Sequence, residues 1–400
     1  MDIRNRTVML LATCQALMMS SNTLVVASSP LVGMTLAEDK SLASLPLSAQ
    51  LFAGMLMSVP AAFFLEKVGR KRGFMLATLL GMIGGIVTAT AIVQGSFWLF
   101  VAGVATLGLF NGFGNYYRFA AADVVDVEHK SRAISYVMIG GVVAAIVGPN
   151  LANWTRLVVE SAPFSFSYAT ILILYITSFI VLSFTRIPKV KHDEDSEAWR
   201  PPRAIGRIMM QPRFVVAILS AALGYAVMAL VMTASPLAMH HHHHDFSDTS
   251  FVIQWHVLGM FAPSFFTGHL IRRFGLIKII FVGTVLSVLS VAINLLGTSV
   301  GHFWWGLLFL GISWNFLFIG GTTMLTETYH QSERSKTQAI NDVTVFSFAA
   351  AASLSAGVLQ HHFGWEMVNL SALPMLAIIL VALGWLVIKE RSVVADKILQ

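Results

Sequence analysis

The chain has 400 residues, 56% of them apolar and only 12% charged, with a formal net charge of +6. A soluble globular protein carries about 25% charged residues, so a water-soluble fold of this length is excluded for want of polar surface. The single cysteine, Cys14, excludes an internal disulfide framework, and the basic residues sit in short loops between apolar blocks, which argues against a nucleic-acid partner.

The apolar blocks are about twenty residues long, the length that crosses a roughly 30 Å hydrocarbon core as a helix. They lack strand-like alternation, and lipid offers the backbone no partners, so helices are expected. The predicted fold is an all-α membrane protein of twelve transmembrane helices in two six-helix bundles. The first span, near 7–28, carries Gln15 and Asn22 on one face, beside Met18 and Met19. Arg4 and Arg6 before it, with Val25 and Ala27 ahead of Ser28, imitate a signal peptide, but the apolar run exceeds the usual 7–15-residue core. It is read as a retained helix. The second and third spans are expected near 44–65 and 74–94.

The fourth span, near 97–122, holds the richest polar set. Asn111, Asn115 and Arg118, spaced four then three, share a helical face and are flanked by Tyr116 and Tyr117. Arg118 stands five residues before Asp123, about 7.5 Å along a helix and more than a turn inside the membrane. A guanidinium there is a functional hypothesis by default; pairing with Asp123 or snorkelling to the inner face is the plainer alternative. The fifth span, 132–154, contains Gly140-Gly141 and Gly148-Pro149, and the sixth is read at 164–185.

The polar stretch 186–211 reads as a cytoplasmic linker between an N-terminal bundle, 1–185, and a C-terminal bundle, 212–400, with a short membrane-face helix from Ala204 to Met210. The seventh span, 212–236, offers Tyr225, Met228 and Met232 to a cavity. The run His240 to His244 falls in an outer loop; adjacent histidines lack the spacing of a metal site, so a solvated, pH-responsive mouth is expected and no metal. The eighth span, 249–270, brings Gln254, Trp255 and His256. An imidazole's ordinary pKa of about 6.5 suits proton coupling, and a hydrogen-bonded packing histidine is the alternative. Spans follow at 275–297, 302–323, 338–360 and 364–388. Trp314 and Asn315 complete a cavity ring, Trp304 and Trp305 read as interfacial belt, and Asn341 and Asp342 open the eleventh span at an inner gate. Among outer loops only Lys40 and Arg156 are basic, so both termini are expected in the cytoplasm.

The halves carry a common imprint. Glu66-Lys67-Val68-Gly69-Arg70-Lys71-Arg72 recurs as Arg272-Arg273-Phe274-Gly275-Leu276-Ile277-Lys278, and Lys130-Ser131-Arg132-Ala133-Ile134 as Lys336-Thr337-Gln338-Ala339-Ile340, both at a spacing of 206 residues. Duplicated six-helix halves are a transporter plan. The segment through Glu66, Gly69, Arg70, Lys71 and Arg72 resembles the GxLaDrxGrkxxl loop motif of the major facilitator superfamily. It departs in having Ala62 for the glycine and Glu66 for the aspartate, while the second copy keeps Gly268 and has Arg272 at the acidic position. Asp123 with Glu128-His129-Lys130-Ser131-Arg132-Ala133 resembles the family's loop between helices four and five. Gly140-Gly141 with Gly148-Pro149 partly resembles a motif of drug–proton antiporters, lacking its closing glycine pair, and Val104 stands near the place of that subfamily's helix-four arginine.

The resemblance implies a secondary carrier working by alternating access in a bacterial inner membrane. Glu66, Arg70, Arg72, Asp123 and Asp342 would gate it, with Glu66 at the start of the eleventh helix near Thr337 and the arginines reaching Asp123, Asp126 or Glu128. Arg118, Asp123 and His256 are candidates for proton coupling. The substrate set is Gln15, Asn22, Asn111, Asn115, Tyr117, Arg118, Tyr225, Gln254, Trp255, Trp314 and Asn315. These aromatic and amide groups favour a flat or amphipathic organic solute. Proton-driven export of a drug or metabolite is the leading expectation, and uptake of a vitamin-like nutrient the size of riboflavin the alternative. A non-transporting receptor on the same fold is a third reading. No phosphate-binding GK[ST] loop occurs, so neither ATP drive nor enzymatic catalysis is expected. No cofactor is expected, and the carrier is read as a monomer.

Overall fold

The computed structural model describes residues 3–126, 129–187 and 203–398, and the regular elements in them are helical. The first half contains α1 (Ile3–Leu36), α2 (Leu45–Val68), α3 (Arg70–Val93), α4 (Phe97–Gly114), α5 (Tyr117–Val124), α6 (Lys130–Thr155) and α7 (Ser165–Ser183). A short α8 (Ile205–Met209) precedes the second half: α9 (Pro212–His241), α10 (Phe246–Phe261), α11 (Ser264–Phe274), α12 (Leu276–Leu296), α13 (Val300–Thr326), α14 (Arg334–Leu370) and α15 (Ala372–Ile398). Among the described residues, ten stretches are long and apolar enough to cross a membrane. One of them, Lys336–Ser392, is 57 residues long and crosses twice, and α10 with α11 makes the twelfth crossing.

Where the chain departs from unbroken helix, a local cause is visible. Gly69 (φ 90°) turns the corner between α2 and α3, and Gly275 (φ 88°) turns it between α11 and α12. Residues with a Cβ avoid that backbone region, so the sequence repeat at spacing 206 is a repeat of this corner. The eighth span, expected as one helix, is two, because Pro263 has no amide hydrogen for the ladder. The fourth is likewise divided at Asn115 and Tyr116. Gly364 (φ 77°) bends α14 between the eleventh and twelfth crossings.

Packing repeats between the halves. In the first, α1 packs on α6, α2 on α4, and α3 on α4 and α7; in the second, α9 packs on α14, α10 on α13, and α12 on α13 and α15. The halves meet along two seams, α6 against α10 and α2 against α14, with α1 touching α9 and α10. An even number of crossings puts both termini on one face, the terminal face; the opposite one is the far face.

The seams are held towards the far face. Asn150 Nδ2 donates to Gln254 Oε1 at 2.6 Å across α6 and α10. Ser44, in a short 3₁₀ turn before α2, donates to Leu354 O at 3.0 Å and accepts from Gly357 N at 3.1 Å. Arg156 lies over the Phe246 ring at 5.4 Å, and Phe164 meets the same ring edge-on at 4.9 Å. Hydrogen bonds from Ser41 hold the exposed Asp39 carboxyl below its ordinary range, with His361 and His362 of α14 adding to the effect.

Candidate functional site

Three spans of the first half converge on an amide cluster. Asn22 Oδ1 (α1) accepts from Gln50 Nε2 (α2) at 3.2 Å and from Asn111 Nδ2 (α4) at 2.8 Å. The convergence depends on close backbone approach: a Cβ on Gly108 of α4 would collide with the Gln50 backbone of α2. Asn111 Oδ1 is buried with no hydrogen-bond partner. In a membrane interior an unpaired amide oxygen is costly, so this acceptor is available to an incoming donor. Gln15, also buried, lies farther along α1, close to Gly140 of α6. Gln50 escaped the sequence reading, although a lone glutamine in an apolar span was signal enough.

The second half contributes an aromatic wall. Trp314 and Phe318 of α13 stack with centroids 5.0 Å apart and planes 7° apart. Tyr225 of α9 packs edge-on against Trp314 (5.5 Å), Phe318 (5.8 Å) and Phe346 of α14 (5.8 Å). Phe261 of α10 approaches Trp314 at 6.2 Å, and its other side lies against Gly141 of α6, where a Cβ would strike the ring. Trp314 Nε1 is buried without a partner. Ser347 of α14 contacts the Met55 sulfur of α2 at 3.2 Å, so amide cluster and aromatic wall flank one seam from opposite halves.

Towards the terminal face the seam becomes charged. Asn115, Arg118 and Asp342 are exposed. Arg118 of α5 stands over Phe119 at 4.8 Å, and each of Arg118 and Asp342 lies in the other's field across the seam. Asp342 accepts from Asn341 Nδ2 at 3.0 Å. Tyr116 donates to Ser58 O at 2.9 Å and lies in the field of both charges. Asp342 and Phe346 are one turn apart on α14, and Arg118 lies two turns from Asn111. The charged pair therefore sits about 6–10 Å below the aromatic and amide groups.

Other sequence-derived candidates are placed elsewhere. Tyr117 is fully buried against Phe74 at 4.7 Å, and its neighbour Tyr116 takes the seam position. The break between α4 and α5 rotates the helix face and exchanges the two. Asn315 is sealed in packing: its Nδ2 donates to Met260 O (2.6 Å) and Ser264 Oγ (2.7 Å), and its Oδ1 accepts from Thr267 (2.7 Å). It supplies partners at the α10–α11 break. His256 is fully buried, its Nδ1 at 2.8 Å from Leu307 O. Trp255 joins Trp304 (5.8 Å) and Trp305 in an aromatic group between α10 and α13, apart from the wall above. Gln254 belongs to the far-face seam.

Of the gate candidates, Arg70 forms an ion pair with Asp123 inside the first half, both about three-quarters buried. Arg72 is exposed, as is Glu66, and Glu128 lies outside the described residues. So does most of the expected linker, residues 188–202. Its end is fixed: Arg203 holds the 2%-exposed Glu333 through its backbone N (2.7 Å), Nε (2.9 Å) and a terminal guanidinium nitrogen (2.7 Å), and His330 N adds a bond at 2.9 Å. The Arg203 guanidinium holds the Glu333 carboxyl well below the usual carboxylate range. The sequence reading missed this anchor, because its partners are 130 residues apart and both look like loop polarity.

Comparison with known proteins agrees with this architecture. A family model described as Major Facilitator Superfamily matches residues 9–252 and 217–398. The riboflavin transporter RfnT of Brucella anthropi is 43% identical over 380 residues, covering 94% of this chain and 95% of that protein. The MFS-type transporter YddS of Bacillus subtilis is 25% identical over 378 residues, covering 88% and 85%. Among solved structures, a bacterial homologue of the human lysosomal transporter Spinster superposes with a TM-score of 0.70 at 16% identity, covering 98% of this chain and 97% of that one. The nucleoside transporter NupG gives 0.70 at 16% identity, covering 96% and 99%.

Proposed function

The chain belongs to the major facilitator superfamily and is a multi-pass membrane transporter, and on that premise we propose that it carries a flavin of the riboflavin type into a bacterial cell by alternating access. The observation that carries this reading is the pairing of an aromatic wall on one half with an amide cluster on the other that keeps one unsatisfied acceptor, Asn111 Oδ1. A flavin ring is flat, apolar on its faces, and edged with carbonyl acceptors and an imide N–H. Its faces match Trp314, Phe318, Tyr225 and Phe346, and its edge matches Asn22, Gln50 and Asn111. The polyol chain has hydroxyls that both donate and accept, which suits the gap between the Arg118 guanidinium and the Asp342 carboxylate. Stacking of this kind contributes about 1–3 kcal/mol per ring system. The 43% identity to a protein named a riboflavin transporter supports the same substrate.

Export was the leading expectation because of Gly140-Gly141 and Gly148-Pro149. In the structure these glycines have a packing use: Gly140 and Gly148 let α6 approach α1, and Gly141 receives the Phe261 ring. That packing does not bear on direction, and it is the identity to a protein named a riboflavin transporter that favours the vitamin-uptake alternative over export. The terminal face, rich in Lys and Arg, is then cytoplasmic, and the described conformation is closed towards the outside and open inwards. Arg70 and Asp123 hold the inner end of the first half in shape while Arg118 and Asp342 close across the seam in the opposite state. Asp342 is also the best-placed proton acceptor, since it stands open in the seam whereas His256 is packed away.

Counterflow tests the reading. Proteoliposomes loaded with unlabelled riboflavin should accumulate labelled riboflavin from outside, faster with an imposed inward proton gradient. An absence of riboflavin exchange in protein that is folded and inserted would end the flavin reading. Exchange indifferent to the gradient would end the coupling role of Asp342 alone.

A further inference from the structure

A cavity away from the transport seam opens where the start of α1, the start of α3 and the end of α7 meet on the terminal face. Its volume is about 380 Å³, and Arg6, Thr7, Lys71, Ser183, Phe184 and Arg186 line it. Three of these are cations, and no carboxylate lines the cavity among the described residues. Lys71 Nζ donates to Ser183 O at 2.6 Å, which fixes the ammonium at the rim and leaves two of its hydrogens free. Arg186 N donates to Thr7 Oγ1 at 3.4 Å, tying the end of the sixth crossing to the first. Phe184, 60% exposed, borders the basic pocket with an apolar edge at the membrane boundary.

Cations that only set topology are spread along a loop and solvated. Here three converge, from α1, from α3 and from the chain just beyond α7, on a concavity the size of a phosphate headgroup, beside an aromatic ring. The ligand chemistry this selects is a phosphodiester with an acyl chain running past Phe184. Basic pockets between transmembrane helices on the cytoplasmic side bind such headgroups, and the leaflet there is anionic. We infer that this cavity is a binding site for the headgroup of an anionic glycerophospholipid from the leaflet at the terminal face. One bound lipid joins three helix ends of the first half and braces that bundle.

The test uses the full chain in nanodiscs of zwitterionic lipid, with and without phosphatidylglycerol, reading thermal unfolding and the number of lipids retained in native mass spectrometry. Anionic lipid should raise Tm by several degrees and leave one tightly held copy. The combined variant Arg6→Gln, Lys71→Gln, Arg186→Gln should lose both effects. Lys71→Arg, which keeps charge and a donor at the rim, should retain them and so separates site loss from misfolding. A charge-matched control, Arg272→Gln, Arg273→Gln, Lys278→Gln, removes three cations from the other half and should keep the full increment. The inference is overturned if the pocket variant keeps the increment, if the control loses it equally, or if inorganic phosphate in zwitterionic discs reproduces it. It is also overturned if the lipid effect emerges only after neutralising Asp193, Glu194, Asp195 and Glu197, because the chain's own acidic segment would then be the occupant.

Discussion

Replacing Trp314 separates the aromatic wall from the general stability of the second half. Trp314 is 8% exposed and touches Phe318, Tyr225 and Phe261. Truncation to Ala removes the platform against which a ring would stack, about 1–3 kcal/mol, and flavin Kd should rise roughly 5- to 150-fold. The fold also loses packing worth about 3–5 kcal/mol, so Trp314→Phe is the necessary companion. Phenylalanine keeps an aromatic face and loses the indole N–H together with the five-membered ring's share of the stacking area. That N–H is buried and unpartnered, so for a ligand that accepts from it the loss of this bond should cost about 1 kcal/mol, near fivefold in Kd. Quenching of flavin emission by the purified protein measures both constants, with thermal unfolding alongside to establish that each variant is folded. A folded Trp314→Ala protein that binds flavin with unchanged Kd would refute the placement of the ring on this wall.

Three further outcomes are expected. Asn22→Ala leaves two amide donors, on Gln50 and Asn111, without their acceptor; flavin affinity should fall about tenfold and stability by about 2 kcal/mol, whereas Asn22→Asp, which keeps the acceptors, should cost less in unfolding measurements. Glu333→Gln should lower stability by about 2 kcal/mol, below the full cost of breaking a buried pair because Arg203 is 34% exposed. Since the Glu333 carboxyl titrates below its ordinary value, its contribution is complete above about pH 4.3 and is lost only as pH falls further; the gap between wild type and variant should be flat from pH 5 to 8 and narrow in stronger acid. Gly357→Val places a Cβ within 2.5 Å of Ser44 Oγ and 2.9 Å of Ser41 O, so the far-face seam cannot close, and a thiol introduced by Ala43→Cys should label faster from that side than in the parent.

The crossings were legible because lipid allows the backbone few solutions, and a run of apolar residues states its length directly. Asn22, Asn111 and Arg118 stood out for the same reason: a polar side chain in such a run needs a partner. Phe261, Phe318 and Phe346 did not stand out, because a phenylalanine facing a ligand and one facing lipid are identical in sequence. The exchange of Tyr117 for Tyr116 has a geometric source. A helix of constant pitch through Asn115 puts Tyr117 at the seam, and the break there turns the face by about one position. His256 and Asn315 make contacts no sequence pattern announces: His256 Nδ1 reaches Leu307 O and Asn315 Nδ2 donates to Met260 O.

The division of the pocket between halves has a mechanical corollary. On the proposed function, with the amides on one moving body and the aromatics on the other, a solute that satisfies both acts as a strut between them. Its grip depends on the angle at which the bodies stand, and each increment of grip is an increment of torque on that angle. A molecule with the ring alone, or the hydroxyl chain alone, would rest on one body and leave the hinge where thermal motion puts it. Discrimination among solutes would then be exercised in the tilting step, by which cargo moves the bodies, more than in which cargo enters.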